Sequence, residues 1–301
     1  MKVVVLTGGV GGAKLVLGLT QIMPAENVTA IINTGDDFVH LGLPISPDVD
    51  ALLYTLAGKA NAAQGWGRAG ESWRFMAELK TLGGPDWFNL GDGDLALHVL
   101  RLAGGTKVET TARFAAAWGI GVTMFPMSND PVATMLETEA GRLAFQNYFV
   151  EQRCVPVVRA ISFERAAHAK PAPGVIEAID ASDIILIAPP NPWLSVDPIL
   201  AVPGIADALR RAKAPVAAVS PLIGGRAVKG PTAKLMFELG LPVTNASIAI
   251  HYGDLLDGLL INSGDDKPDL AHAETETLMH TLEHRARVAQ AVLDLAETLR
   301  Q

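Results

Sequence analysis

Val5-Leu6-Thr7-Gly8-Gly9-Val10-Gly11-Gly12-Ala13-Lys14 overlaps an apolar run at residues 3–6 and leads into a helical stretch at residues 13–19. A short buried strand, a glycine-rich turn and a helix form the opening unit of a nucleotide-binding α/β domain. Glycine permits positive φ and close backbone approach, so the free N–H groups that open the helix can face a phosphate. The turn is neither G-x-G-x-x-G nor G-x-x-x-x-G-K-[ST], because Leu15 follows Lys14. By itself the stretch also reads as a tight turn without a ligand, and the rest of the chain has to decide.

Further apolar, β-branched runs occur at 28–32, 184–188, 216–219 and 259–261, with amphipathic stretches between several of them. This pattern predicts an α/β protein with a Rossmann-like, doubly wound, mainly parallel sheet. Residues 50–118 depart from it. They read as helices at 51–56, 72–82, 95–102 and 110–118, and are expected to be a small helical insertion within a single nucleotide-binding domain spanning 1–301. A hairpin is expected with arms at 134–138 and 142–150 around Ala140-Gly141. Val288, Ala291, Val292, Leu295 and Leu299 stand at helical spacing and predict a packing helix within 278–299.

The chain has 301 residues, 49% hydrophobic and 19% charged, which is an ordinary globular composition able to bury a full core. A net charge of −8 argues against non-specific nucleic-acid binding, which needs a basic face. The single cysteine, Cys154, excludes a disulfide framework and a cysteine-based zinc site, and reads as an inert thiol. No signal peptide precedes the first strand, and no apolar run reaches the roughly 18 residues of a membrane span. A cytoplasmic protein without membrane contact is expected.

Five clusters stand at predicted strand ends or helix starts, where open α/β sheets place ligands. Asn33-Thr34-Gly35-Asp36-Asp37, Ser46-Pro47-Asp48-Val49-Asp50 and Leu90-Gly91-Asp92-Gly93-Asp94 each hold two close carboxylates. Such pairs repel unless a cation or proton lies between them, and aspartates with substrate phosphates are the usual holders of Mg²⁺. Each pair also reads as a helix N-terminus with dipole-favoured acids, most strongly for Asp92 and Asp94. Ala188-Pro189-Pro190-Asn191-Pro192-Trp193-Leu194-Ser195 is a rigid loop after a strand. Ser220-Pro221 to Pro231 is a second glycine-rich loop, with Gly224, Gly225, Arg226, Lys229 and Gly230 before a helix start at Thr232, and suggests an anion site. The histidines show no metal-ligand spacing, and His98 reads as a core or surface residue of a helix.

In order, these motifs resemble the 2-phospho-L-lactate transferases of deazaflavin coenzyme (F-420) biosynthesis. The resemblance covers roughly residues 1–258 and also includes Leu53-Tyr54, Gly65-Trp66-Gly67, Phe145-Gln146 and Pro198-Ile199-Leu200. It implies transfer of a phosphorylated three-carbon acid from a GDP-linked donor to the ribityl hydroxyl of a deazariboflavin acceptor, with release of GMP, Mg²⁺ dependence and a homodimer. Gly8, Gly9, Gly11, Gly12 and Lys14, with Gly224, Gly225, Lys229 and Gly230, are expected to hold the guanosine diphosphate half. Asn33, Asp36, Asn191 and Ser195 complete the expected binding set. Asp48, Asp50 and Asp92 are expected to bind Mg²⁺ or orient the attacking hydroxyl, and their individual roles stay open. Trp66 and Trp193 are candidates for stacking on the deazaflavin or for core packing.

One departure stands out. The family usually carries a basic residue where this chain has Gly93, a cation expected to help hold the deazaflavin, and Arg101 is a candidate substitute. The second resemblance is to the gluconeogenesis-factor family, which shares the glycine-rich opening and implies a non-catalytic nucleotide-binding regulator. An NAD(P)-linked oxidoreductase ranks lower without a complete G-x-G-x-x-G. Phospholactate, phosphoenolpyruvate and phosphoglycerate donors are not separated by any residue in the sequence.

Overall fold

The computed structural model describes residues 1–227 and 230–300. Its strands in chain order are β1 (Val3–Thr7), β2 (Val28–Ile32), β3 (Phe38–His40), β4 (Leu43–Ile45), β5 (Thr123–Pro126), β6 (Ala133–Thr138), β7 (Gly141–Ala144), β8 (Val158–Glu164), β9 (Ile184–Ile187), β10 (Val216–Val219), β11 (Leu222–Ile223), β12 (Arg226–Ala227), β13 (Gly258–Asn262) and β14 (Ala271–Thr275). The helices are α1 (Gly9–Leu19), α2 (Pro47–Leu56), α3 (Arg74–Thr81), α4 (Leu95–Leu102), α5 (Lys107–Ala117), α6 (Val175–Asp180), α7 (Asp197–Leu200), α8 (Ile205–Arg211), α9 (Thr232–Glu238), α10 (Asn245–Tyr252) and α11 (Leu282–Leu299).

The central sheet has seven strands in the order β5-β2-β1-β9-β10-β13-β14, and every pairing in it is parallel. The apolar runs form its interior because alternate side chains enter opposite layers. Val3, Val5, Ile184, Leu186, Ala217 and Val219 pack with α1, α2 and α11 on one face. Val4, Leu6, Ile185, Ile187, Val216 and Ala218 pack with α6, α8 and α10 on the other. The expected doubly wound α/β architecture is the observed one.

The chain runs from β1 outward through β2 to β5, then returns to β9 and proceeds the other way. The sheet therefore switches direction between β1 and β9, and a crevice opens at the carboxyl ends of those two strands.

Several elements differ from the sequence expectations. The edge strands β5 and β14 lack a long β-branched run, and β14 is half exposed. The hairpin arm after Gly141 stops at Ala144 and gives way to a π-helical turn at Asn147–Glu151, while β8 joins β6 to complete a three-stranded antiparallel sheet. Helix α2 starts at Pro47, where a proline suits the first turn, and α5 starts at Lys107 behind the Thr106–Glu109 capping box.

Within residues 50–118, Leu52, Leu53, Tyr54, Leu97 and Phe114 belong to the main core, while Met76 and Leu90 form a small cluster with Ile45. Burial pushes the Cys154 thiol up to about 11, which keeps it protonated and unreactive at neutral pH. Among the described residues no helix is long and apolar enough to cross a membrane.

Candidate active site

A cavity of about 700 Å³ opens at the switch point, lined by the start of α1, the start of α2, the loop after β9 and the π-helical turn. The glycine turn makes this convergence possible. A Cβ on Gly8 would stand 2.6 Å from Asp48 Oδ2, 2.9 Å from Ser195 Cβ and 3.2 Å from Asn33 Cβ, so three separate motifs close on one missing side chain. Gly9 adopts φ +58° and opens α1. Gly9, Gly11 and Lys14 face the cavity, whereas Gly8 and Gly12 lie behind its wall, Gly12 against the Thr7 hydroxyl.

Helix α1 has no side-chain cap of its own, and the Asp48 carboxylate takes that role from α2. Its Oδ1 accepts the Gly9 N–H at 2.7 Å, and its Oδ2 accepts Asn33 Nδ2 at 2.9 Å. Asn33 is therefore a support behind the site, its own Oδ1 accepting the Gly35 N–H at 2.7 Å. Burial pushes the Asp48 carboxyl up to about 6 against the pull of those two hydrogen bonds. Asp36 also faces the cavity. Burial, with the Asp48 charge adding to it, holds its carboxyl well above the usual range, and its buried Oδ1 has no hydrogen-bond partner. Two buried carboxyls both raised above the usual range, one of them partly by the charge of the other and with an orphaned oxygen, are a donor set suited to a hard divalent cation.

Asp50 faces the same cavity but is already paired. Arg101 grips both of its oxygens, one at 2.9 Å, from a largely buried position outside the cavity lining. Arg101 is thus spent on Asp50 and does not stand in for the family cation. Asp94 lines the cavity beside Tyr54, which donates to it, and His98, whose Nε2 lies 3.2 Å from Asp94 Oδ2. Burial tends to raise the Asp94 carboxyl, yet His98, Tyr54 and Arg101 together hold it below the usual carboxylate range. Asp50, Asp94 and His98 have ligand atoms within 4.8 Å of one another, but the guanidinium on Asp50 opposes a cation there.

Asp92, expected at the reacting centre, is placed elsewhere. Its carboxylate accepts the Arg74 and Phe75 N–H groups at 3.2 and 3.1 Å and the Ser72 hydroxyl, which caps α3, and it does not line the cavity. Gly93 has a neighbour in the place of its side chain. Any Cβ there would run into the Arg68 guanidinium, which pairs with Glu71 at 2.9 Å, while Gly93 N–H donates to the same carboxylate at 2.6 Å. A cation does occupy the space beside Gly93, delivered from the 65–68 loop.

The second glycine loop divides. Gly224 and Gly225 form the exposed turn of the β11–β12 hairpin, with φ of +59° and +67°, and lie outside the cavity lining. Gly230 and Thr232 line the cavity, and Lys229 lies outside the described residues. Ser195 and Asn191 line it too. Asn191 Oδ1 accepts the Trp193 and Leu194 N–H groups, leaving a buried, unpartnered Nδ2 donor.

Trp66 is 47% exposed and faces the cavity, whereas Trp193 is buried against His251 with ring centroids 4.7 Å apart. Sequence reasoning did not single out Phe149, which stacks on Phe145 at 5.3 Å and 18° across the cavity wall, and it read His98 as a core or surface residue although His98 faces the cavity. Ser220, which opens the second glycine loop, lines the cavity as well. The four- and three-residue spacing of Asp94, His98 and Arg101 was the available signal for His98.

This geometry joins a glycine-opened helix, a buried carboxylate pair and aromatic walls in one cavity. The family model for 2-phospho-L-lactate transferase CofD matches residues 3–297. The chain belongs to this family. A phosphoenolpyruvate transferase of Kitasatospora aureofaciens is 41% identical, with 100% of this chain and 99% of that protein aligned. A 2-phospho-L-lactate transferase of Methanosarcina acetivorans is 35% identical over 98% of this chain and 99% of its own. A crystal structure of a UPF0052-family protein from Bacillus halodurans aligns at a TM-score of 0.63 and 18% identity, covering 97% of this chain and 98% of that one, and shares the fold. The chain is accordingly a transferase of the family that the motifs resemble, and the regulator reading is not favoured.

Proposed function

We propose that this transferase moves a phosphorylated three-carbon acid from a GDP-linked donor to the ribityl hydroxyl of 7,8-didemethyl-8-hydroxy-5-deazariboflavin, in the biosynthesis of coenzyme F-420. The observation that carries this reading is the meeting of the α1 N-terminus with the Asp36–Asp48 pair in one aromatic-walled cavity. The acceptor oxygen bonds to the phosphorus that bears the three-carbon acid. The bond from that phosphorus to the bridging oxygen breaks, GMP leaves with the electron pair, and the hydroxyl proton passes through the carboxylate wall to solvent.

Such a transfer depends mainly on positioning and charge neutralisation. Gly9, Gly11, Lys14, Asn191 and Ser195 hold the donor diphosphate, Asn191 through its free Nδ2. Asp36 and Asp48 would hold Mg²⁺, which supplies neutralisation of the phosphate charge. Asp50 and Asp94 accept hydrogen bonds from the acceptor hydroxyls. Phe145 with Phe149, and Trp66 with Phe88, offer apolar faces to the ring systems of the two substrates. The higher identity to proteins named phosphoenolpyruvate transferase favours the enolpyruvyl donor. As in the family, the active form is a homodimer in the cytoplasm, and light scattering on the eluting protein measures its mass.

The test supplies deazariboflavin and Mg²⁺ with each of three GDP-linked donors, carrying phosphoenolpyruvate, phospholactate or phosphoglycerate. GMP release matched to a deazaflavin adduct of the corresponding mass is expected, fastest with the enolpyruvyl donor. Donor binding without GMP release overturns the reading.

A further inference from the structure

Helix α4 and the residue that precedes it carry Asp94, His98 and Arg101 at spacings of four and three residues, and α2 carries Asp50 and Tyr54 four apart. Residues at these spacings share a helix face, so two polar stripes meet along the cavity wall. Tyr54 donates to Asp94, and His98 sits between the two carboxylates, its Nε2 3.2 Å from Asp94 Oδ2 and its Nδ1 4.0 Å from Asp50 Oδ2. Arg101 closes the far end with both nitrogens on Asp50 and one of them 3.3 Å from His98 Nδ1.

These groups are buried, His98 to 1% side-chain exposure and Asp50 and Arg101 to 7% and 9%. Burying ions is costly, and a purely structural seam between two helices is made at least as stable by apolar residues. Asp50, Tyr54, Asp94 and His98 face the cavity, whereas Arg101 does not. Arg101 can therefore influence a substrate only through its neighbours, Asp50 directly and Asp94 by way of His98. Its planar fork engages one side of each carboxylate oxygen and fixes the carboxylate plane, leaving the remaining lone pairs for a ligand.

We propose that Arg101, supported by His98, is a positioning residue that holds Asp50 and Asp94 in one orientation as a double hydrogen-bond acceptor for neighbouring hydroxyls of the acceptor's polyol chain. The proposal rests on the polyol-bearing acceptor inferred above. It separates two jobs within the site: Asp36 and Asp48 serve the donor phosphates, while the α2–α4 seam serves the acceptor.

Arg101→Lys tests this, since it keeps the charge and loses the fork. Deazariboflavin binding is read by its fluorescence without donor, and KM for each substrate by GMP release. The expected result is a rise of about tenfold or more in both the deazariboflavin Kd and its KM, with donor KM and saturated kcat within about twofold of wild type. Leu97→Ala, a buried apolar residue of α4, is the control for loss of packing alone. If Leu97→Ala raises the acceptor KM as much at an equal loss of melting temperature, or if Arg101→Lys moves both KM values together or neither, the positioning role is overturned. Wild-type protein that binds deazariboflavin without releasing GMP overturns the transfer reading, and the binding comparison still decides the role of Arg101. Wild-type protein that binds no deazariboflavin overturns both.

Discussion

At Gly93 a residue read as a lost cation is the slot that a neighbour's cation fills. The sequence reading predicts that Gly93→Arg tightens deazaflavin binding. The structure reverses that expectation, because the new side chain displaces the Arg68 guanidinium from Glu71, whose side chain is 2% exposed. Gly93→Ala is expected to cost about 1.5–3 kcal/mol, the scale of a hydrogen bond to a charged group. Gly93→Arg alone brings no gain in acceptor affinity, since two guanidinium groups then compete for one carboxylate. The double variant Arg68→Ser with Gly93→Arg returns the melting temperature towards wild type. Thermal melts of the three variants with fluorescence titration of the acceptor check this, and a tightened Kd in the single Gly93→Arg variant refutes it.

At the scale of elements, two glycines of the opening unit, one at each end of α1, have opposite duties. Gly18 lies where α1 crosses α11, and any Cβ there would strike the Arg285 backbone carbonyl. Backbone cannot swing aside as a flexible side chain can. Gly18→Ala is therefore expected to cost about 2–3 kcal/mol and several degrees of melting temperature while leaving KM for both substrates unchanged. Gly8 precedes the same helix, and its added methyl would push on Asp48 and Ser195. Gly8→Ala should lower kcat/KM by more than about tenfold, roughly 1.4 kcal/mol of barrier. Melting curves and steady-state kinetics on both variants separate these duties, and a Gly18→Ala protein with altered KM contradicts the assignment.

For the whole molecule, the buried carboxylates at the switch point tie stability to pH and to cation binding. Asp48 titrates at about 6 in the fold, and Asp36 is raised further by burial and by Asp48 itself. A carboxyl raised above its unfolded value contributes stability that is fully present below about pH 4 and lost as pH rises through the folded value, here about 6. A divalent cation held by the ionised pair, as proposed above, would offset that loss. Mg²⁺ is accordingly expected to raise the melting temperature by several degrees at pH 7.5 and by little at pH 5. Asp36→Asn should abolish the increment, whereas Asp92→Asn should keep it and lower the melting temperature through the weakened α3 cap. An increment equal at both pH values, or one that survives in Asp36→Asn, rules out this cation site.

The local and periodic features were legible in the sequence. Apolar runs whose alternate residues enter two layers established the parallel interior strands. The glycine turn established a close approach at the first strand end, and the ordered acid-rich loops established the family. Edge strands β5 and β14 were hidden because pairing with a distant neighbour, rather than their own composition, makes them strands. The acids were visible as three similar pairs, and only packing sorted them: Asp36 is buried within reach of the Asp48 charge, Asp50 is gripped by Arg101, and Asp92 caps a helix. The same holds for Arg68 beside Gly93 and for Phe149 on Phe145. Periodicity and turn chemistry act within a few residues and leave their mark in the order of the chain. The charge, partner and exposure of a side chain depend on groups brought near from far along it, and those only the folded molecule decides.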